Sequence, residues 1–419
     1  MSRHLGRLAN VGLRVTTLAI RFLLVFFLAR YLDPADLGYY GLFTATVTLA
    51  LYVIGLDFYV FTTREVLRRP EGDRAPPVKA QIALSGLLYL IALPLAAAVL
   101  VALGWPGHLI WWFTLIAVLE HVNQEVFRLL IALSRQITAS LLMFARQGSW
   151  AIAAVAVMAL RADARSLDLV LALWAASGLV TAVLGVWAIR HQQLGGWQAR
   201  VDWSVVWSGV KVSLAFLIAT MALRTIQTLD RYGVEYLNGI ESVAAYVLFL
   251  GVAGALLTFL DAGVLAYAYP ALIALCHQRE FAAARRKLRE MAVQTVAICL
   301  GFSVISWLIL PYLLAWIGNP LYQDAVGLYP WLLGAVVLNA LGMIPHYALY
   351  ASGHDRQIIY SHLAALPVFL VSAWGLGQIV PDLAVPIALA MSFALILLWK
   401  SVAYLRCGFA RRPDQPHSE

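Results

Sequence analysis

Apolar segments of about 20 residues, the length that crosses a hydrocarbon core of about 30 Å, recur from one end of this chain to the other. Between them lie only short polar runs, so no water-soluble domain fits. Of 419 residues, 62% are hydrophobic and only 12% are charged. That balance excludes a soluble globular protein and predicts an all-α polytopic membrane protein. Twelve spans are expected, about Leu8 to Arg30, Asp36 to Thr62, Ala80 to Leu103, Leu109 to Leu133, Ala139 to Leu160, Leu167 to Ile189, Ser208 to Asp230, Glu241 to Leu265, Met291 to Tyr312, Leu328 to Ala351, Ile358 to Ile379 and Leu383 to Leu405. An even number puts both termini on one side.

Basic residues select that side. Arg3, Arg7, Arg64, Arg68, Arg69, Arg74, Lys79, Arg285, Arg286, Lys287 and Arg289 all fall on the N-terminal side, whereas the opposite connections hold only Arg30, Arg161, Arg165 and Arg231. By the positive-inside rule both termini are cytoplasmic. The net charge of +8 is then a topology and headgroup signal. Nucleic acid is not needed to explain it. The basic N-terminus precedes an apolar stretch too long for a signal peptide, so it reads as a retained first helix. The segment QREFAAARRKLRE (278–290) has helical periodicity with a basic face, and is either a helix lying along the inner membrane surface or a solvated helical extension. The three cysteines show no disulfide or metal spacing.

The chain also resembles itself at a shift of about 200 residues, the length of a six-helix parallel repeat. Arg30-Tyr31 matches Arg231-Tyr232, Tyr40 matches Tyr246, and Asp57 matches Asp261. The predicted organisation is a lobe over 1–190, an interfacial linker over 191–207, a second lobe over 208–405 and a tail over 406–419.

Charges inside the spans carry the functional signal, because a cation at a helix centre costs roughly 2.5 to 3.5 kcal/mol on insertion scales. Arg14 and Arg21 are seven residues apart and so project from nearly one helical face. In span seven, Ser213, Thr220, Arg224, Gln227 and Arg231 draw a second polar stripe. If the two lobes face each other, these stripes line a cationic chamber that attracts an anion. The alternative is that Arg224 pairs with Glu120 or Glu125 and locks helices together. In span four, Glu125 and Arg128 form either an ion pair or a substrate contact. Arg146 either faces the chamber or snorkels. Lys211 opens span seven, and Lys400 closes span twelve where its stem reaches the interface. Asp57 and Asp261 hold equivalent depths, each able to take a proton or sodium ion or to pair with a basic neighbour. His346 and His362 are candidates for a proton relay, while the spacing of His346, His354 and His362 is not a metal-ligand pattern. Pro94, Pro345 and Pro367 interrupt spans and can kink them. Neither a nucleotide-binding glycine loop nor a nucleophile elbow occurs, so neither ATP-driven transport nor hydrolytic chemistry is expected.

The opening RVTTLAIRFLLVFFLARYLDPADLGYYGLF resembles that of bacterial polysaccharide flippases of the Wzx type, in which a basic first helix runs into an Ala-Arg-Tyr-Leu turn and a Gly-Tyr helix start. Thr63-Arg64-Glu65 and Leu229-Asp230-Arg231 leading to Tyr246 are similar to that family as well. The resemblance implies the multidrug, oligosaccharidyl-lipid and polysaccharide exporter superfamily, with two six-helix lobes in a V. It further implies a bacterial inner-membrane location and transfer of an undecaprenyl-diphosphate-linked oligosaccharide from the cytoplasmic to the periplasmic leaflet. On this resemblance the substrate-binding candidates are Arg14, Arg21 and Arg224, then Arg146, Lys211, Gln227 and Arg128. Candidates for ion coupling are Asp57, Asp261 and Glu125. No cofactor is expected beyond a proton or sodium gradient. The partners implied are the lipid-linked oligosaccharide, membrane lipids and a polysaccharide polymerase.

Two rivals use the same spans. A drug or cation antiporter of the same superfamily would want carboxylates in its cavity, and span one has none. A membrane-embedded polymerase or glycosyltransferase would carry a large outer loop, and the outer connections here are short.

Overall fold

Twelve membrane-length helices follow one another in the expected order among the described residues. The computed structural model describes residues 3–192 and 194–409, the side chains of residues 3–11, 215, 216 and 219 excepted. The basic side chains of Arg3, His4 and Arg7 and the tail residues Arg411 and Arg412 lie outside the described residues. The first half comprises α1 (Arg3–Tyr31), α2 (Pro34–Gly55), α3 (Ala75–Ala102), α4 (Gly107–Ala132), α5 (Gln136–Leu160) and α6 (Leu167–Arg190). The second comprises α7 (Trp203–Asn238), α8 (Ile240–His277), α9 (Phe281–Ile317), α10 (Leu328–Ala351), α11 (Asp355–Gly377) and α12 (Pro381–Cys407). Ten of these are apolar and long enough to cross a membrane. The exceptions are α4 and α7, which carry Glu120, Glu125 and Arg128, and Arg224, Asp230 and Arg231.

Two acids and a proline stand at the start of α2. Pro34 occupies the first turn, where its missing N–H costs nothing, but the Asp33 side chain makes no capping bond. Asp36 instead accepts the Leu167 N–H at 3.1 Å, tying the start of α2 to that of α6. Within segment 278–290, residues 278–280 form a turn and residues 281–290 open α9, which runs unbroken from Phe281 to Ile317. Helix α7 starts earlier than expected, at Trp203, because Asp202 caps it. Its carboxylate accepts the Ser204 N–H at 2.9 Å and the Ser204 hydroxyl at 2.7 Å, and these donors hold the Asp202 carboxyl below the usual range.

The chain divides into two compact units that meet between Ile218 and Ala219, inside α7. In unit 1, residues 194–202 are strapped to the start of α3. Ala75 N–H donates to the Gly195 carbonyl at 2.9 Å, and Lys79 Nζ donates to the carbonyls of Trp197 and Ala199 at 3.0 and 2.9 Å. Only glycine fits at 195, where a Cβ would lie 2.0 Å from the Gly72 carbonyl oxygen. In unit 2, α12 packs most extensively along α10 and α11.

The matched acids of the internal repeat both sit where a helix is interrupted. α2 stops at Leu56 and Asp57, two consecutive non-glycine residues in left-handed backbone with φ of 48° and 50°, before a short helix over Tyr59–Arg68. α8 instead passes through a π-helical turn over Asp261–Leu265. Such turns insert one extra residue without breaking the helix. A second π turn, Ala145–Ser149, lies within α5.

Candidate functional site

In unit 1 the two arginines of α1 reach the same neighbour. Arg14 Nε donates to Ser140 Oγ at 3.2 Å and Arg21 Nη1 donates to Gln147 Oε1 at 3.2 Å. Both partners lie 126 residues further on, so α1 and α5 run parallel and in register. Arg14 is half-buried and Arg21 exposed. Both acceptors are neutral, and among the described residues neither guanidinium is in ion-pair contact with a carboxylate. The field of Arg21 also reaches the buried Tyr40 hydroxyl.

Arg146 takes a different direction. Its side chain is buried, Nε donates to Glu120 Oε2 at 2.8 Å and Nη2 donates to the same oxygen. Trp174 Nε1 donates to the other oxygen of Glu120 at 2.8 Å and stacks on Trp150 with centroids 5.4 Å apart. The π turn that contains Arg146 is held by Ser177 of α6, whose hydroxyl donates to the Ala145 carbonyl at 2.5 Å. Neither the chamber role nor snorkelling describes this residue: its charge is matched inside the unit by an acid and a tryptophan.

A third polar group gathers beside the break in α2. Arg128 Nη1 donates to Glu125 Oε1 at 2.6 Å and its guanidinium lies 3.6 Å from the centre of the Tyr59 ring. Cation–π contact of this kind contributes about 0.5–2 kcal/mol. Gln81 of α3 donates to the other oxygen of Glu125, and His121 Nε2 lies 3.8 Å from Glu125 Oε1. Tyr89 OH meets His121 Nδ1 at 2.6 Å. Asp57 is near enough for its charge to act on both Tyr59 and Glu125. The structure thus pairs Glu125 with Arg128 and leaves Asp57 within electrostatic range of Glu125. Next to it opens a cavity of about 960 Å³ between α3, α4 and α6, whose walls are mostly apolar and whose polar end is formed by Gln81, Tyr89, His121 and Glu125. Lys211, near the start of α7, is exposed.

Unit 2 contains the rest. Arg224 Nη1 donates to Gln227 Oε1 at 2.8 Å. Arg231 pairs with the buried Asp230 at 2.9 Å, and Tyr246 OH donates to the second oxygen of that carboxylate at 2.8 Å. Asp261 is exposed, and its charge acts on Tyr347. Lys400 does not snorkel. It is 3% exposed, and its ammonium lies 3.2 Å from His346 Nδ1 and 3.0 Å from His362 Nε2. No sequence signal marks this meeting, because the three residues are 54 and 38 positions apart on three helices.

No family model and no curated protein matches the chain by sequence. Solved structures do match by fold. An inward-facing multidrug resistance MATE transporter of the MOP superfamily aligns with a TM-score of 0.77 at 14% identity, covering 94% of this chain and 99% of that one. An outward-facing MATE transporter of the same superfamily aligns with a TM-score of 0.54 at 14% identity, over 95% and 96% of the two chains. A MOP superfamily transporter from Pyrococcus furiosus, described as having a binding pocket of reverse polarity, aligns with a TM-score of 0.50 at 14% identity over 96% and 95%. With twelve helices in two six-helix halves covered end to end, this chain has the fold of the MATE transporters.

Proposed function

We propose that the protein moves a polyprenyl-diphosphate-linked oligosaccharide from the cytoplasmic to the periplasmic leaflet of a bacterial inner membrane by alternating access. One observation carries this reading: Arg14 and Arg21, on a membrane-length helix, are met by Ser140 and Gln147 rather than by acids. Their charge is positioned but not cancelled. A diphosphate offers what a guanidinium prefers, two oxygens in a plane for bidentate bonding. Amides such as Gln147 and Gln227 suit the hydroxyls of sugars. Alternating access is supported by the fold, which other proteins adopt in inward-facing and outward-facing forms. The distribution of basic residues supports cytoplasmic termini. Arg146 and Arg128, each bound to a glutamate, take no part in holding the headgroup, and a proton or sodium gradient drives the cycle.

The test is substitution of Arg21→Ala and Arg224→Ala. Each is expected to lower surface polysaccharide at least roughly tenfold, the equivalent of about 1.4 kcal/mol, with normal protein levels in the membrane and lipid-linked oligosaccharide accumulating in the cytoplasmic leaflet. Undiminished polysaccharide in both variants defeats the assignment. A second reading, export of a cationic drug, draws on the multidrug resistance transporters that share the fold. The charge-reversed Arg21→Glu separates the two, since it would strengthen resistance to a cationic compound and abolish transfer of a diphosphate.

A further inference from the structure

We propose that Lys400, His346 and His362 form a proton-binding site within unit 2. Nζ of Lys400 sits at the meeting of α10, α11 and α12, within hydrogen-bond distance of two ring nitrogens, 3.2 and 3.0 Å away. A ring nitrogen accepts only while it carries no proton. While Lys400 donates to both, His346 is neutral with its hydrogen on Nε2 and His362 is neutral with its hydrogen on Nδ1. The two rings lie nearly parallel, at 8°, with centroids 6.4 Å apart.

Among the described residues no carboxylate is in ion-pair contact with Lys400. From α10 the titratable groups here are His346 and Tyr347, packed edge to face at 5.3 Å, and from α11 it is His362. From α8, Tyr269 packs against Tyr347 and Tyr350 at 4.8 and 5.6 Å. Asp261 acts on Tyr347 and Asp355 on Tyr269. α7 meets α12 elsewhere, through Asn238 and Asp382 at 2.6 Å. One ammonium and two imidazoles are too few ligands for a metal, and no metal-binding group occurs among the described residues.

A buried guanidinium is permanently charged, but a buried amine can shed its proton. Here the proton has somewhere to go. Breaking one Lys400 N–H bond and forming an N–H bond at His346 Nδ1 or His362 Nε2 moves the charge onto an imidazole and leaves a lysine amine, with the total still +1. Release of that proton to water leaves three neutral nitrogens still joined by N–H···N bonds. A second proton is excluded, because two cations about 3 Å apart in a low-dielectric core repel strongly. The site therefore alternates between charges of +1 and 0, one proton at a time. Coupling of that proton to transport rests on the function proposed above; proton binding itself does not.

The chain has four lysines, Lys79, Lys211, Lys287 and Lys400, so lysine labelled at 13Cε yields four assignable signals in nanodiscs. The Lys400 signal, identified by its loss in Lys400→Met, is expected to pass between ammonium and amine within about pH 5 to 9, and to shift its midpoint by at least about one unit in His362→Gln. A signal that stays in one form over that range overturns the site. A fluorescent polyprenyl-diphosphate disaccharide in vesicles then tests coupling. Wild-type transfer should accelerate up to roughly tenfold per unit of pH gradient, the limit for one proton. Lys400→Met, or His346→Gln and His362→Gln if that variant fails to fold, should lose the acceleration and keep the rate without a gradient. A variant that responds like the wild type overturns the coupling. A wild type that moves no probe counts against the transport function, and the lysine titration still decides the site.

Discussion

Among the described residues each unit buries one strong cation, Arg146 in unit 1 and Lys400 in unit 2, and the two are satisfied in opposite ways. Arg146 faces a carboxylate that also binds Trp174, whereas Lys400 faces two imidazoles. The first arrangement is a neutral ion pair that neither partner can easily leave. The second cancels no charge, so it responds to proton activity. A buried cation therefore does not define a role by itself; what it touches does. The same contrast separates Arg14 and Arg21, held by a hydroxyl and an amide, from Arg128, which is held by Glu125.

The largest expected effect lies at Glu120. Glu120→Ala leaves the Arg146 guanidinium uncompensated and should destabilise the protein by about 3–5 kcal/mol, while the double change to Glu120→Leu and Arg146→Met should recover most of that loss. Unfolding in mixed micelles measures both, and a small loss in the single variant would erase the distinction between the units. Next comes His362→Ala, which removes one neutral acceptor and should cost about 1–3 kcal/mol. That cost should shrink as pH rises, because Lys400 can deprotonate. The cost at Glu120 should stay constant over the same range, because a guanidinium cannot lose its proton.

The interrupted helices allow a finer comparison. Leu56→Gly should be about 1 kcal/mol more stable than Leu56→Ala, since position 56 holds a left-handed backbone that penalises a side chain, and the comparison with alanine sets aside the packing of Leu56 on its hydrophobic cluster. Ala262→Gly in the π turn of α8, where no such backbone occurs, should cost about 1 kcal/mol. Equal signs in thermal unfolding would show that the two breaks store strain alike. The smallest effect is expected for Ser140→Ala, about 0.5 kcal/mol, because half-buried Arg14 can exchange the lost bond for water.

Much of the fold was legible in the sequence. The succession of helices, the repeat that places Asp57 and Asp261 alike, and the α1 face that carries Arg14 and Arg21 all follow from hydropathy and helical spacing. The helical character of 281–290 was legible as well, but not its continuity with α9. The site was legible only where charge stood out against apolar surroundings. Pairing of Arg224 with Glu120 or Glu125 was the alternative to a place in the chamber; within unit 1 those acids hold Arg146 and Arg128. Tyr59 under Arg128 and Gln81 against Glu125 gave no signal, because an aromatic or an amide in a membrane helix has many ordinary uses.

What the sequence determined by itself is one-dimensional: which segments are long and apolar enough to cross a membrane, and which residues share a face within one helix. Those properties depend on rise and turn per residue, which neighbours in the chain already specify. The tertiary structure alone decided which charges meet. Glu120 and Arg146 are 26 residues apart, Gln81 and Glu125 are 44 apart, and Lys400 reaches across 54 and 38. Such meetings depend on which helices become neighbours, at what depth and at what rotation, and packing sets all three only when the bundle closes.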